Sequence, residues 1–318
     1  MERDLHLVLD PLRLAASVPQ AAALLGRLRP AAVFTTGGYA AIPVLLAARP
    51  LGIPVVLWEG NAVPGRSVRA TARLATAVAV SFEMTCGSLG ARRCYRTGTP
   101  IRDPAAVSRA AARARLGVPA DDRLLLVFGG SQSVRRFSVA VAGALPRLVE
   151  RTRVLHVTGD AGYADALAGR EALPAQVRER YRPVPFLADE MADALAAADL
   201  LVGRAGSSTL AEAAAFGLPL VCVPYPHAAG HQRANARALV EAGAARLVGD
   251  EAFDADALLA AAALLDDSAA LGTMRAAALA VGRPGAAEAV AALVLAAAAR
   301  RPLPEPAEIE RIARGEAA

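Results

Sequence analysis

At 318 residues, with 55% hydrophobic and 20% charged side chains, the chain is long enough for two domains of ordinary size and too apolar to be disordered. The formal charge of +5 comes wholly from arginine, since the sequence contains no lysine. No DNA- or RNA-binding motif accompanies that charge, so nucleic acid is not expected as a partner, whereas phosphorylated substrates and anionic headgroups are compatible with it.

The opening MERDLHLVLD lacks the basic and apolar regions of a signal peptide, and export is not expected. Residues 7–29 alternate apolar and basic positions at helical spacing, with Arg13, Arg27 and Arg29 on the polar side of an amphipathic helix. A strand over 32–35, the turn Thr36-Gly37-Gly38-Tyr39 and a helix through Leu46 follow. A strand over 55–58 leads into the loop 59–65, which opens another helix, and strands over 77–81 and 93–97 close the first half. Cys86, Cys94 and Cys222 show no CxxC spacing and read as reduced, structural thiols. Alternation of strand and helix implies a mostly parallel sheet covered on both faces.

Gly98-Thr99-Pro100-Ile101-Arg102-Asp103-Pro104 breaks the pattern and reads as a hinge between a first domain, 1–102, and a second, 103–285. Beyond it come a helix over 105–116 and a buried strand over 124–128 that runs into Gly129-Gly130-Ser131-Gln132-Ser133 and a helix from Val134. Such a turn can hold phosphate through backbone N–H groups and the Ser131 hydroxyl. Strands are expected over 154–158, 184–187 and 244–248, and a helix from Ala255. The alanine-rich helix 286–299 is expected to pack back on the first domain, and 301–318 to be a peripheral tail. Neither the apolar run 289–299 nor 40–58, interrupted by Arg49 and prolines, reads as a bilayer span.

The stretch 199–232 organises the second half: a strand over 199–202, a small-residue turn over 203–208, a helix over 209–216 and a second buried strand over 218–223. This βαβ unit sets a strand's carboxyl end against a helix's amino end, where free N–H groups favour an anion. Gly206, Ser207, Ser208 and Thr209 are small enough to admit a diphosphate, while a carboxylate one turn on, at Glu212, suits ribose hydroxyls. The corner therefore reads as a nucleotide site. His227 and His231 have a chelating spacing, but Pro226 and Gly230 argue against the helix it needs, and no metal is expected. Asp254-Ala255-Asp256 reads as a helix cap and not as a metal-holding DxD. GxSxG and HExxH are absent, which leaves hydrolase readings without support.

Taken together, TGGYAAIP (36–43), GIPVVLWEGNAVPG (52–65), TGTPIR (97–102), LLVFGGSQS (125–133), FLADEMADALAAADLLVGRAG (186–206), TLAEAAAFGLPLVCVPYP (209–226) and HQRANA (231–236) resemble, in order and spacing, the MurG family of UDP-N-acetylglucosamine transferases. The resemblance implies an α/β GT-B fold, two Rossmann-like domains facing across a cleft, with the first lacking its opening strands. It implies an inverting transfer of N-acetylglucosamine (GlcNAc) from UDP-GlcNAc to undecaprenyl-diphosphate-linked muramoyl-pentapeptide, without a cofactor or metal, at an anionic membrane surface on the cytoplasmic face. Carried over by motif, donor contacts fall on Asn61, Arg102, Ser131, Leu187, Ser207, Ser208, Thr209, Leu210, Ala211, Glu212 and Gln232. Arg204 joins Arg102 as positive charge for departing UDP, and Gly37, Gly38 and Tyr39 form the acceptor-side loop.

Where the family has His-Glu-Gln-Asn this chain has Trp58-Glu59-Gly60-Asn61, and Ser133-Val134 replaces Gly-Ala after the GGSQ run. The family's GGTGGH loop, which carries the proposed catalytic histidine, has no counterpart here, which leaves Glu59 as the candidate base. On this reading the chain is a fragment, a truncated gene product or one piece of a split enzyme, with an exposed apolar sheet edge. A non-catalytic UDP-GlcNAc-binding subunit, a UDP-GlcNAc 2-epimerase and a lipid galactosyltransferase are the alternatives.

Overall fold

Alternating strands and helices call for parallel sheets, and a computed structural model, which describes residues 2–130, 134–226 and 230–316, contains two of them. The chain divides into unit 1, Met1–Pro100 with Gly285–Ala318, and unit 2, Ile101–Pro284.

In unit 1, α1 (Glu2–Leu28) and α2 (Ala41–Ala48) pack together around Leu25, Leu45 and Ala48. The sheet runs β1 (Val33–Thr35), β2 (Val55–Glu59), β3 (Ala77–Val80), β4 (Cys94–Arg96) in spatial as in chain order, all parallel. β3 is buried on both faces, as its uninterrupted run AVAV requires. β1 lies at an edge, and its Phe34 is exposed. α3 (Arg66–Thr71) follows the 59–65 loop. The sequence reading left the segment after β3 without an element; it holds α4 (Glu83–Leu89), ended by Gly90 in the left-handed region at φ +57°. A disulfide joins Cys86 on α4 to Cys94 on β4, eight positions further on, which corrects the reading of these two as reduced thiols; the intervening helix end and turn bring them together, a closeness that their spacing does not advertise. Cys222 is free and buried.

Unit 2 is a six-stranded parallel sheet built from β5 (Leu124–Phe128), β6 (Arg153–Val157), β7 (Tyr181–Val184), β8 (Leu200–Gly203), β9 (Leu220–Cys222) and β10 (Ala245–Leu247), in the spatial order β10-β9-β8-β5-β6-β7. Its helices are α5 (Arg109–Leu116), α6 (Val134–Arg151), α7 (Asp160–Glu171), α8 (Ala175–Arg178), α9 (Met191–Ala197), α10 (Ser207–Ala215), α11 (His231–Glu241), α12 (Ala255–Ala262) and α13 (Ser268–Val281). Leu125 and Val127 on β5, Phe137, Val141 and Leu145 on α6, and Leu200 and Val202 on β8 form its core.

β7 begins three residues before the strand expected over 184–187. The reason lies in its partners: Tyr181 is fully buried and its hydroxyl meets Nδ1 of buried His156 on β6 at 2.9 Å, which fixes the register. Pro183 is tolerated because β7 is an edge strand and needs no outward N–H. Asp254 accepts from the Ala257 N–H and caps α12, as its position suggested.

The chain then returns to unit 1 as α14 (Ala286–Ala298) and α15 (Pro306–Ala313). The segment Ser268–Ala298 has the length and apolarity of a bilayer span, but the break at Gly282-Arg283-Pro284-Gly285 divides it into two helices of different units, each too short to cross. The last residues are not a peripheral tail. Ile309 and Ala313 of α15 are fully buried against Leu293 and Ala289, and the contact is so close that a Cβ on Gly285 would lie 2.0 Å from the Ile312 carbonyl oxygen.

Candidate active site

The order of unit 2 decides where a ligand can sit. From β5 the chain steps outward to β6 and β7, then crosses to the other side of β5 for β8, β9 and β10. The crossover makes the carboxyl ends of β5 and β8 the topological switch point, the place at which open α/β sheets bind ligands. Both glycine-bearing turns found in the sequence leave from that point, because Phe128 and Gly203 are register partners. Gly130 follows β5 with φ +69°, a conformation few other residues accept. A Cβ on Gly203 would lie 3.1 Å from the Phe128 carbonyl, so the strands reach full approach only without a side chain there.

After Gly203 the chain turns through Arg204, Ala205 and Gly206 into α10. Gly206 is its N-cap and supplies no side-chain acceptor, so the first N–H groups of a nine-residue helix face outward without a cap. Ser207, Ser208 and Thr209 lie in this first turn and keep partial exposure, whereas Leu210 is buried and Ala211 is half-buried. Ser131 and His227 lie outside the described residues.

Glu212, one turn along α10, is 8% exposed, and Arg102 Nη1 donates to its Oε1 at 2.6 Å. Burial pushes the Glu212 carboxyl above its ordinary pKa, and the bond from Arg102 pulls it partly back. Arg102 belongs to unit 2, and its side chain remains about half exposed, so the ion pair has one buried and one open member. Gln232, at the start of α11, spends Oε1 on the Tyr225 N–H at 2.9 Å. Leu187 is fully buried just past β7, and its neighbour Phe186 is 73% exposed, an aromatic face that the sequence reading passed over.

Arg204 does not fill the role given to it. It is 4% exposed, its Nη1 donates to Val223 O and to Asp250, and its guanidinium lies 5.0 Å from the Phe137 ring centre and 5.3 Å from that of Tyr225. A cation so enclosed is part of the core and is not presented to a departing anion.

In unit 1, Gly37 and Gly38 follow β1 with φ of +81° and +84°, and the Gly37 N–H donates to Thr35 Oγ1 at 3.2 Å. A Cβ on Gly37 would come within 2.6 Å of Val68, so both backbone and packing demand glycine. Tyr39 beside them is 68% exposed. Glu59, at the carboxyl end of β2, is 5% exposed and fully engaged: Oε1 accepts from the Asn61 N–H at 2.9 Å and Asn61 Nδ2 at 3.0 Å, and Oε2 from the Gly65 N–H at 3.0 Å. It is therefore a clasp on the 59–65 loop and not the candidate base, since both of its oxygens are already occupied by donors of that loop. Thr85 on α4 supports the same loop by donating to the carbonyls of Asn61 and Ala62, each at 3.1 Å. Trp58 Nε1 donates to Gly98 O at 3.0 Å and its ring packs in the unit 1 core.

The glycosyltransferase family 28 C-terminal domain matches residues 124–290 and the family's N-terminal domain residues 5–80. The chain belongs to glycosyltransferase family 28. A family relative from Desulforudis audaxviator (strain MP104C), a UDP-N-acetylglucosamine--N-acetylmuramyl-(pentapeptide) pyrophosphoryl-undecaprenol N-acetylglucosamine transferase, is 40% identical over 288 residues, 88% of this chain and 77% of the relative. The crystal structure of Acinetobacter baumannii MurG superposes with a TM-score of 0.74 at 29% identity, covering 90% of this chain and 79% of that one. A putative UDP-N-acetylglucosamine 2-epimerase from Listeria monocytogenes reaches a TM-score of 0.69 over 92% of this chain and 81% of its own, at 16% identity, a likeness of fold alone. Both units of this family 28 chain are thus of the GT-B type, and the matched C-terminal domain contains the switch point.

Proposed function

We propose that the chain transfers GlcNAc from UDP-GlcNAc to the muramoyl-pentapeptide carried on undecaprenyl diphosphate, the reaction after which its 40%-identical relative is named. The observation that carries the proposal is the pairing of two glycine-bearing strand ends, Phe128 and Gly203, with an uncapped helix amino end at the switch point of unit 2. In this reading the diphosphate rests on the N–H groups of α10's first turn, with Ser131, Ser207, Ser208 and Thr209 as hydroxyl donors. Glu212 accepts from the ribose hydroxyls, Phe186 and the backbone at Leu187 meet uracil, and Arg102 swings from Glu212 to the diphosphate as the donor binds.

Chemically, the acceptor's 4-hydroxyl attacks the anomeric carbon from the face opposite the diphosphate. The C–O bond to phosphate breaks, UDP departs with the electron pair, the hydroxyl proton is released to solvent, and the configuration inverts. Charge accumulates on the leaving β-phosphate, so donors aimed there supply the largest catalytic effect. Asn61, aimed by Glu59, and Gln232, aimed by the Tyr225 N–H, address sugar hydroxyls. The Gly37-Gly38-Tyr39 turn takes the acceptor. We place the enzyme at the cytoplasmic face of the cell membrane, a reading supported by the +5 charge and by exposed Leu24 and Leu28 beside Arg27 on α1.

The test supplies the purified chain with UDP-GlcNAc and a lipid-linked muramoyl-pentapeptide. A disaccharide product that requires both substrates is expected. Release of UDP from UDP-GlcNAc alone, with an epimerised sugar as product, replaces the transferase reading by an epimerase one, and UDP-GlcNAc binding without any product reduces the chain to a donor-binding subunit.

A further inference from the structure

Unit 1 has a second end. The carboxyl ends of its strands carry the Gly37 turn and the Glu59 loop; the amino ends of β2, β3 and β4 are preceded by Pro54, Thr76 and Arg93. At those amino ends lies a recess of about 360 Å³ into which Arg49, Arg93, Arg300 and Arg301 all project. The four come from three separate places: the C-cap of α2, the residue before β4, and the turn after α14. Arg300 donates to the Gly52 carbonyl at 3.3 Å, and none of the four pairs with a carboxylate among the described residues.

Guanidinium groups drawn together in this way repel one another unless something negative lies among them. Two sources are already present. The C-termini of α2 and α14 end here, and together they carry about −1 of partial charge. Burial raises the Tyr95 pKa, Arg93 lowers it and Glu305 raises it, so Glu305 stands close enough to the same hydroxyl as Arg93 to contribute another negative charge nearby. Four positive charges against these leave an excess of about +2, the complement of a diphosphate or of a pair of phosphodiesters. Local backbone preference does not select Arg300 either. It adopts φ +53°, the conformation in which a helix normally ends on glycine, yet a long cationic side chain occupies it and reaches the recess.

We propose that this recess is a second anion site, for a phosphate-bearing ligand with at least two negative charges, at the end of the unit 1 sheet opposite its glycine turn. Planar forks from three segments suit phosphate oxygens, each of which can accept from two N–H groups of one arginine. The site does not depend on the donor reading of unit 2, and a ligand held there bridges α2, β4 and the α14 turn.

Calorimetry with pyrophosphate, at low salt and with UDP in excess to fill any donor site, tests it. The intact chain is expected to bind, and Arg93→Ala combined with Arg301→Ala to bind about tenfold more weakly or worse. UDP affinity and the unfolding midpoint are expected to stay unchanged in that variant. Arg300→Gly serves as a second variant, because glycine suits φ +53° and keeps the fold while removing a guanidinium. Sedimentation with phosphatidylglycerol and with phosphatidylcholine vesicles separates the sources. Pyrophosphate binding lost in the variants identifies a soluble oligophosphate. Loss confined to the phosphatidylglycerol arm identifies a headgroup phosphate as the occupant. Equal binding by the intact chain and both variants in both arms overturns the proposal.

Discussion

Two arginines of unit 2 stand in glycine-containing turns and pair with carboxylates far away in sequence, yet they have opposite fates. Arg204 is enclosed: Asp250, the Val223 carbonyl and the rings of Phe137 and Tyr225 surround it, and 4% of its surface reaches solvent. Arg102 reaches Glu212 from an open position, with about half its side chain exposed. In the first pair both charges are used up in holding strand ends together. In the second, one carboxylate is buried against a single partner that can leave, and among the described residues nothing else bonds it. A charge closed on all sides is architecture; a buried charge with a removable partner can exchange that partner for a ligand.

The sharpest way to break this comparison is to remove the enclosed arginine. Arg204→Ala strands Asp250 beside Arg136 and empties the space between two rings, and unfolding free energy is expected to fall by about 3–5 kcal/mol. Denaturant titration measures it; a loss below 1 kcal/mol, together with weakened UDP binding, would return Arg204 to the ligand side. Unit 1 offers a parallel case in Glu59. Glu59→Ala orphans the N–H groups of Asn61 and Gly65, at an expected cost of about 3 kcal/mol. UDP affinity is expected to survive that change while sugar transfer falls, since the loop that aims Asn61 is released. Transfer at the intact rate by a folded Glu59→Ala chain would show that the clasp is dispensable.

Glu212→Ala is the converse experiment. Stability is expected to change little, because burial already disfavours the carboxylate, but losing the ribose acceptor removes about 2 kcal/mol, or roughly thirtyfold, from UDP affinity. Unchanged affinity in calorimetry removes Glu212 from the site and the donor reading with it.

Much of this was legible in the chain. β5 and β8 announce themselves as apolar runs ending in glycine, and a helix amino end made of Gly206, Ser207 and Ser208 is visible before any coordinates. What could not be read was decided by distance in sequence. Arg102 and Arg204 look alike as letters; only Asp250, 46 residues beyond Arg204, and Glu212, 110 beyond Arg102, separate a core cation from an open one. β7 was misplaced because its register follows the Tyr181–His156 contact and not its own apolar run. α4 was passed over because its sequence EMTCGSL is short and contains glycine and threonine, so that packing and not propensity makes it helical.

The smallest expected effect is also the one that tests the exchange of partners directly. Glu212 must be ionised to accept from two hydroxyls, so UDP affinity is present well above its pKa and lost as pH falls through it. Burial has raised that pKa, and Arg102 holds it lower than burial alone would. Affinity should therefore decline at a higher pH than an ordinary glutamate would dictate, and Arg102→Ala should move the decline higher still. Folding carries the opposite sign: a carboxyl whose pKa is raised in the native state binds its proton more tightly there than when unfolded, so its contribution is favourable at acid pH and is lost as pH rises through the raised value. Glu212→Gln, fixed in the neutral state, should be slightly more stable than the parent at neutral pH while binding UDP less well. Calorimetry across a pH series on the parent, Arg102→Ala and Glu212→Gln reads both signs. A decline that Arg102→Ala leaves in place would mean that the arginine does not govern the ionisation of Glu212, and the exchange of partners would lose its support.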